Sequence, residues 1–311
     1  MQLNYNISEI SSADYEQIEQ LAKCNGGNVN LNASYINHWY NENPSRSVLL
    51  YKVCVGDVIE GYATTNNFEY TLLQNKMLAA MPQNLLTSKR IRGRGLFGEL
   101  YKKLEAENHT RHKVDCFIVF SNAMSTPIFL KKFDYLKAQC PLVYFYFFNP
   151  VNLLKQNRYR ELSSLTEIDF NLIRNKNNGL IKSEAYFNWR YSNYTPKTIR
   201  IISIVKDGVQ IGYAILKSHK KKGIPFLVLM DLIYPEESYY DELITQCCIY
   251  ATKNFFSGIL LFESSESSNK KHWGITMKDR FNLLVKGKSP ELTNSLSKIK
   301  YSFLFGDLDI L

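Results

Sequence analysis

The sequence predicts an α+β (mixed α/β) chain of two tandem lobes, each a mixed, mostly antiparallel sheet flanked by helices. Three observations predict this. The first is an internal repeat. "NISEISSADYEQIEQL" (6–21) resembles "RYRELSSLTEIDFNLI" (158–173), "YINHWYNENPSRS" (35–47) resembles "AYFNWRYSNYTPKT" (185–198), and "GDVIEGYA" (56–63) resembles "DGVQIGYA" (207–214). The offsets stay between 150 and 152 residues in unbroken order, as a duplication requires. The second is a glycine-turn hairpin in each copy, at Gly56-Asp57 and at Asp207-Gly208. The third is the alternation of apolar strand runs with amphipathic helical runs after each hairpin.

The lobes are expected at 1–150 and 151–311, divided at "FYFFNPVNLLKQNRYR", where Asn149-Pro150 ends an aromatic strand. Each opens on a short strand. A helix should follow at the serine pair, with a serine cap and with Tyr15, Ile18, Leu21 and Ala22 sharing a face in the first copy. A second helical piece carries Trp39 in one copy and Trp189 in the other. Next come the hairpin and a further strand, "KMLAAMPQNLLT" in the first lobe and "FLVLMDLIY" in the second. Each lobe then continues with a helix, a strand ("DCFIVFSN" or "GILLFESS"), another helix and closing strands such as "PLVYFYFF".

Thirty-eight basic residues against 29 acidic ones give a net charge of +9, which favours an anionic partner without choosing one. The six cysteines (Cys24, Cys54, Cys116, Cys140, Cys247, Cys248) form no CxxC pair, so no metal site is expected and the thiols read as reduced core groups of a cytoplasmic protein. The polar start "MQLNYNISEISSADYEQ" does not read as a secretory signal. No apolar window is long enough to span a membrane. Basic and aromatic residues do not interleave in the manner of an RNA-binding strand, which argues against nucleic acid as the main partner. "SHKKKG" (218–223) reads as a solvated hairpin tip that could also attract a diphosphate.

The two copies differ at "TSKRIRGRGLFGEL" (87–100); the second copy has acidic "PEESYYDELITQ" at the matching place. Gly93 and Gly95 allow backbone angles closed to other residues and let a ligand approach the amides. The helix that follows begins with unpaired amides and a dipole that favours an anion. Arg90, Arg92 and Arg94 add donors for phosphate oxygens. The same residues would also suit a solvated basic turn. The spacing is neither GxxxxGK[ST] nor GxGxxG, which disfavours nucleoside-triphosphate and dinucleotide loops.

On these residues the chain resembles the GNAT superfamily of acyl-CoA-dependent acyltransferases, whose pyrophosphate signature is R/Q-x-x-G-x-G/A between a central strand and a helix. The run Arg90 to Gly95 matches it formally. The wider family pattern fits better with Arg92 leading, Gly95 at the central glycine and Phe97 in place of the last small residue. The next strand ends at Asn122, and "LKKFDY" (130–135) loosely resembles the family's Y-x-K-x-G-F. Leu130 stands there for the tyrosine that often protonates the leaving thiolate, and Asp134 for the glycine. The resemblance covers 1–150 directly and 151–311 through the repeat. The tandem form, the "RGRGLF" loop and the closing "GDLD" are similar to bacterial enzymes that N-acylate nucleotide-linked amino sugars, such as a dTDP-3-amino-3,6-dideoxyhexose, for surface polysaccharide of the lipopolysaccharide O-antigen kind.

The resemblance implies that the first lobe binds acyl-CoA and that the second completes the acceptor cleft. Leu85, Leu86 and Thr87 would pair with the pantetheine arm, Arg90, Arg92, Gly93, Arg94, Gly95, Leu96 and Phe97 would hold the pyrophosphate, and Asn122 would bond the arm. The acceptor amine must be neutral to attack, so a carboxylate or histidine is sought; His38, Asp231, Asp307 and Asp309 are the candidates. Trp39, Tyr40, Tyr186 and Trp189 are candidates for acceptor contacts, although tryptophans shared by both copies also suit packing. The expected partners are acyl-CoA and a nucleotide-linked amino sugar, in a monomer acting as a pseudo-dimer of lobes or in a homodimer. Two other readings stand beside this one: a Fem-type aminoacyl-tRNA-dependent ligase and a non-catalytic acyl-CoA-binding protein.

Overall fold

The structure, a computed structural model, describes residues 4–28, 30–192, 198–262, 273–277 and 281–308. In chain order its strands are β1 (Asn6–Glu9), β2 (Val48–Val55), β3 (Val58–Leu72), β4 (Asn75–Thr87), β5 (Cys116–Ser121), β6 (Leu136–Lys137), β7 (Val143–Phe147), β8 (Tyr159–Leu162), β9 (Gly179–Leu180), β10 (Ile199–Lys206), β11 (Val209–Lys221), β12 (Ile224–Ile233), β13 (Gly258–Phe262), β14 (Gly274–Met277) and β15 (Asn282–Gly287). The helices are α1 (Tyr15–Asn25), α2 (Ala33–Ile36), α3 (Leu96–Arg111), α4 (Thr126–Lys132), α5 (Glu184–Tyr191), α6 (Tyr240–Lys253) and α7 (Pro290–Lys298).

The chain divides into two compact units, Met1–Gln139 with Phe281–Ile299, and Cys140–Arg280 with Lys300–Leu311. The first sheet runs β1-β2-β3-β4-β5-β15-β6 and the second β14-β7-β13-β12-β11-β10-β8. Only β4–β5 and β12–β13 are parallel among these pairs. Read from opposite ends the two orders correspond strand for strand, as the repeat predicts. The division differs from a cut at residue 150 in one respect. β7, from the first half of the sequence, pairs with β13, and β15, from the second half, pairs with β5.

In the first unit one sheet face packs on α3, whose Leu96, Leu100, Tyr101 and Leu104 recur at helical spacing and meet Leu49, Tyr51, Val53, Ala63 and Ala80. Buried Asn108 of α3 ties that face by hydrogen bonds to Thr65 and Asn67 of β3. The turn before α1 is closed by Asp14, which accepts from the amide and hydroxyl of Ser11 at 2.7 and 2.9 Å and pairs with Lys52 at 2.5 Å. In the second unit α6 fills the corresponding place, packing Leu243, Ile244, Cys247 and Cys248 on Ile202, Ile204, Leu216 and Leu229. The helix expected at Ser163-Ser164 is absent: only short 3-10 turns, Leu165–Glu167 and Phe170–Leu172, follow the serines. Asp169 explains the break, because its carboxylate caps the amide of Asn171 and its own amide donates to the Tyr213 hydroxyl.

Candidate functional site

β4 and β5 pair only at Ala79–Cys116 and Ala80–Phe117, after which the two strands part. The β3–β4 register shifts between Tyr62 and Thr64, and Asn84 takes φ 47° beside that bulge. The bulge resets the alternation of β4. Leu85 packs toward the α3 core, while the side chain of Leu86 lies close to Gly27, just past α1.

The arginine loop follows directly. Gly93 and Gly95 have φ 81° and 84°, and Gly95 is the residue before the first turn of α3. Among the described residues no backbone carbonyl accepts from the amides of Arg92, Gly93, Gly95, Leu96 or Phe97. A Cβ at Gly93, Gly95 or Gly98 would meet nothing within 4 Å, so these glycines border open space. The loop therefore presents a row of unspent amides at a helix N-terminus, the arrangement that binds phosphate.

Its arginines have separate duties. Arg90 pairs with Glu60, an acid buried on β3 that also accepts from the Ser88 hydroxyl. Arg92 donates to the carbonyls of Thr87 and Asn25 at 3.2 and 3.4 Å while remaining exposed. Arg94 is exposed, and its guanidinium has no partner among the described residues. Glu60 is the residue of this site that the sequence did not single out. The signal was present: the second copy has Ile211 where the first has Glu60, so the inward acid accompanies the arginine loop. Phe97 is half-buried, stacked on Tyr101 at 6.0 Å and edge-on to Phe133 at 6.1 Å. It anchors the first turn of α3 from below.

On the opposite sheet face, beside the bulge, uncharged groups form a network. Gln83 Oε1 accepts from Trp39 Nε1 at 2.7 Å and from Asn66 Nδ2 at 3.3 Å. Tyr40 and Thr64 share a hydrogen bond of 2.7 Å, and Asn84 donates to the Tyr40 hydroxyl at 2.8 Å. His38, on the same helical segment, meets Glu42 through Nδ1 at 3.0 Å. Asn122 uses Oδ1 to accept from the amides of Met124 and Ser125, at 3.0 and 2.9 Å, and so fixes the turn into α4.

The other candidates lie in the second unit. Asp231, on β12, is fully buried between Lys182 and the Tyr191 hydroxyl. Asp307 pairs with the same Lys182 through Oδ1 as an ion pair without a well-directed hydrogen bond, and its Oδ2 accepts from the Leu304 amide at 2.8 Å. Burial by itself would lower the Lys182 pKa, but the two carboxylates outweigh it and hold the ammonium above its ordinary value. Burial raises Asp231; Lys182 pulls it down, Asp307 pushes it up, and the net shift is upward. A cavity of about 30 Å³ bordered by Lys182, Asp307, Asn175 and Ser302 has room for about two waters. Tyr186 and Trp189 are buried in this unit's core, and the Tyr186 hydroxyl donates to Gly306 O at 2.9 Å. Asp309 lies outside the described residues. The structure thus groups Asp231 with Asp307 around Lys182, while His38 belongs to the other unit.

Solved structures share this architecture over nearly the whole chain. A probable N-acyltransferase from Enterococcus faecalis V583 matches with a TM-score of 0.68 at 10% identity, covering 91% of this chain and 72% of its own. A GCN5-related N-acetyltransferase from Anabaena variabilis matches with 0.67 at 11% identity and the same coverage. The fold is that of the GCN5-related N-acetyltransferases. The N-myristoyltransferase of Saccharomyces cerevisiae, solved with bound myristoyl-CoA, has a TM-score of 0.56 at 11% identity and covers 96% of this chain and 90% of its own. No protein-family model and no curated protein matches the chain in sequence. Two sheets flanked by helices, expected from the repeat, are thus a GNAT-type two-lobed fold. Among the described residues no cluster of metal-ligating side chains occurs and no helix is long and apolar enough to cross a membrane.

Proposed function

We propose that the chain is an acyl-CoA-dependent N-acyltransferase whose donor site is the arginine loop of the first unit and whose acceptor is a nucleotide-linked amino sugar. The observation that carries this reading is the set of unspent amides of Arg92, Gly93, Gly95, Leu96 and Phe97 at the start of α3, beside the parting of β4 and β5. Backbone amides there suit the CoA pyrophosphate, with Arg92 and Arg94 completing its charge. The freed edge of Leu85, Leu86 and Thr87 suits the amides of the pantetheine arm. An amide of that strand would also stabilise the oxyanion formed when the amine attacks the thioester carbonyl. The C–N bond forms as the carbonyl becomes the oxyanion, the oxyanion then collapses and breaks the C–S bond, CoA leaves as its thiolate, and the proton lost from the nitrogen passes through the assigned base to solvent.

The Trp39, Tyr40, Thr64, Gln83 and Asn84 network offers neutral donors and acceptors, which suit hydroxyl groups rather than a polycation. His38, oriented by Glu42, is the base we assign for the acceptor amine. Asp231 and Asp307, held by Lys182, shape the second unit rather than move a proton.

A thiol-release screen of several acyl-CoAs against dTDP- and UDP-linked amino sugars tests this reading. Release of free CoA that requires both partners supports it. Retained CoA binding with no turnover of any amino sugar would overturn the proposed acceptor.

A further inference from the structure

The second unit's sheet has two unlike faces. Tyr144 and Tyr146 of β7 pack into the core under α6, so strand alternation turns Val143, Phe145 and Phe147 to the other face. Register carries that face across neighbouring strands. Ile275 of β14 stands opposite Phe145, and Met277 opposite Val143. Phe226 of β12 meets Phe145 at 5.8 Å, and Ile224 lies two residues away on the same side. On β11, His219 stands opposite Phe226, Lys221 opposite Ile224 and Lys217 opposite Val228.

The rings form an unbroken ladder. His219 to Phe226 is 5.1 Å, Phe145 to Phe147 is 5.4 Å, and Phe147 to Trp273 is 5.1 Å. At its margins Ile224, Trp273 and Ile275 are 57, 68 and 52% exposed. Lys217, Lys220, Lys221 and Lys222 crowd the adjoining hairpin, and no acidic residue occurs in 143–147, 217–230 or 273–277. An apolar face beside a hairpin that carries four lysines and no acid over 217–230 calls for a partner both apolar and anionic.

We propose that this face docks on a bilayer surface that carries anionic lipid. The ladder's successive rings are inclined by 47 to 75°, so they offer bases no parallel stack, and Ile224 and Ile275 offer them no ring at all. Protruding tryptophan and isoleucine beside lysines are the chemistry of the headgroup boundary. Each lysine near such a surface strengthens binding about fivefold.

The chain has three tryptophans, of which Trp39 and Trp189 are buried. Trp273 emission therefore reports the contact. With vesicles of phosphatidylcholine and phosphatidylserine, a blue shift and protection from acrylamide are expected, reversed by high salt; phosphatidylcholine alone should give neither. Neutralising Lys220, Lys221 and Lys222 to Gln should weaken co-sedimentation about 100-fold. Trp273→Ala, with an unchanged thermal melt, should weaken it about tenfold. Absence of a serine-lipid-dependent shift would overturn the proposal, as would equal binding to both vesicles. Emission already blue-shifted in a self-associated wild-type protein would assign the face to a second copy. Binding to single-stranded RNA without vesicle binding would assign it to nucleic acid.

Discussion

Gly95→Ala separates the two things the arginine loop does. Gly95 sits at φ 84° and ψ −14°, and a Cβ there meets nothing within 4 Å. The cost of alanine is therefore the backbone's own, about 1–2 kcal/mol for the left-handed region. Gly98 is the internal control: it lies inside α3, its Cβ would also meet open space, and it has no positive φ. Gly98→Ala should stabilise the protein by about 1 kcal/mol. The two substitutions, three residues apart, are thus expected to shift the melting temperature in opposite directions, by about 2–4 °C per kcal/mol. If the Gly95→Ala loop escapes its strain by leaving the left-handed region, the amides of Leu96 and Phe97 turn from the pyrophosphate. Losing even one hydrogen bond to a charged group costs about 1.5–3 kcal/mol, or at least tenfold in acyl-CoA affinity. Differential scanning fluorimetry and calorimetric titration read the two effects. A Gly95→Ala protein that melts above wild type would refute the left-handed strain, and one that melts like wild type, its strain relieved, yet binds acetyl-CoA with unchanged affinity would refute the assignment of this loop.

Arg90→Ala and Arg94→Ala should part company. Arg94→Ala should weaken acyl-CoA about tenfold by calorimetry with no change in melting, whereas Arg90→Ala leaves buried Glu60 without its cation and should cost about 2 kcal/mol of stability by urea unfolding. Lys182→Ala leaves Asp231 and Asp307 facing each other without a cation in a buried site; urea unfolding should show a loss of about 3 kcal/mol or more. Asp14 gives a pH signature. Burial raises its pKa, but the bonds from Lys52 and Ser11 outweigh this and hold it below 3.8. A depressed carboxylate stabilises the fold above its unfolded value and loses that contribution as pH falls through its folded value. Asp14→Asn should therefore cost about 1 kcal/mol at neutral pH, with the gap to wild type closing below about pH 4 in pH-dependent melts.

The duplicated fold was legible because its signals are local. Gly56-Asp57 and Asp207-Gly208 do turn between the strands that the alternating residues imply. The loop was legible for the same reason: Gly93 and Gly95 announce positive φ, and both have it. The exchange of β7 and β15 was not, because a strand's apolar alternation fixes which face is buried but not which neighbour it pairs with. The missing helix after Ser163 shows local capping by Asp169 defeating a pattern carried over from the first copy. Arg90 read as a third phosphate ligand because its partner Glu60 lies 30 residues away, on a strand where an acid looks like an interruption. Asp231, Asp307 and Lys182 come from three separated segments, and only folding brings them together.

The central claim is that the first unit's loop holds the pyrophosphate of an acyl-CoA. Calorimetric titration of the wild-type protein with CoA and, separately, with pantetheine tests it most directly, since the second lacks the pyrophosphate. The account predicts saturable binding of CoA, at least 100-fold tighter than pantetheine if two or more charge-assisted bonds are made. Equal affinity for the two, or no heat with CoA, would contradict it.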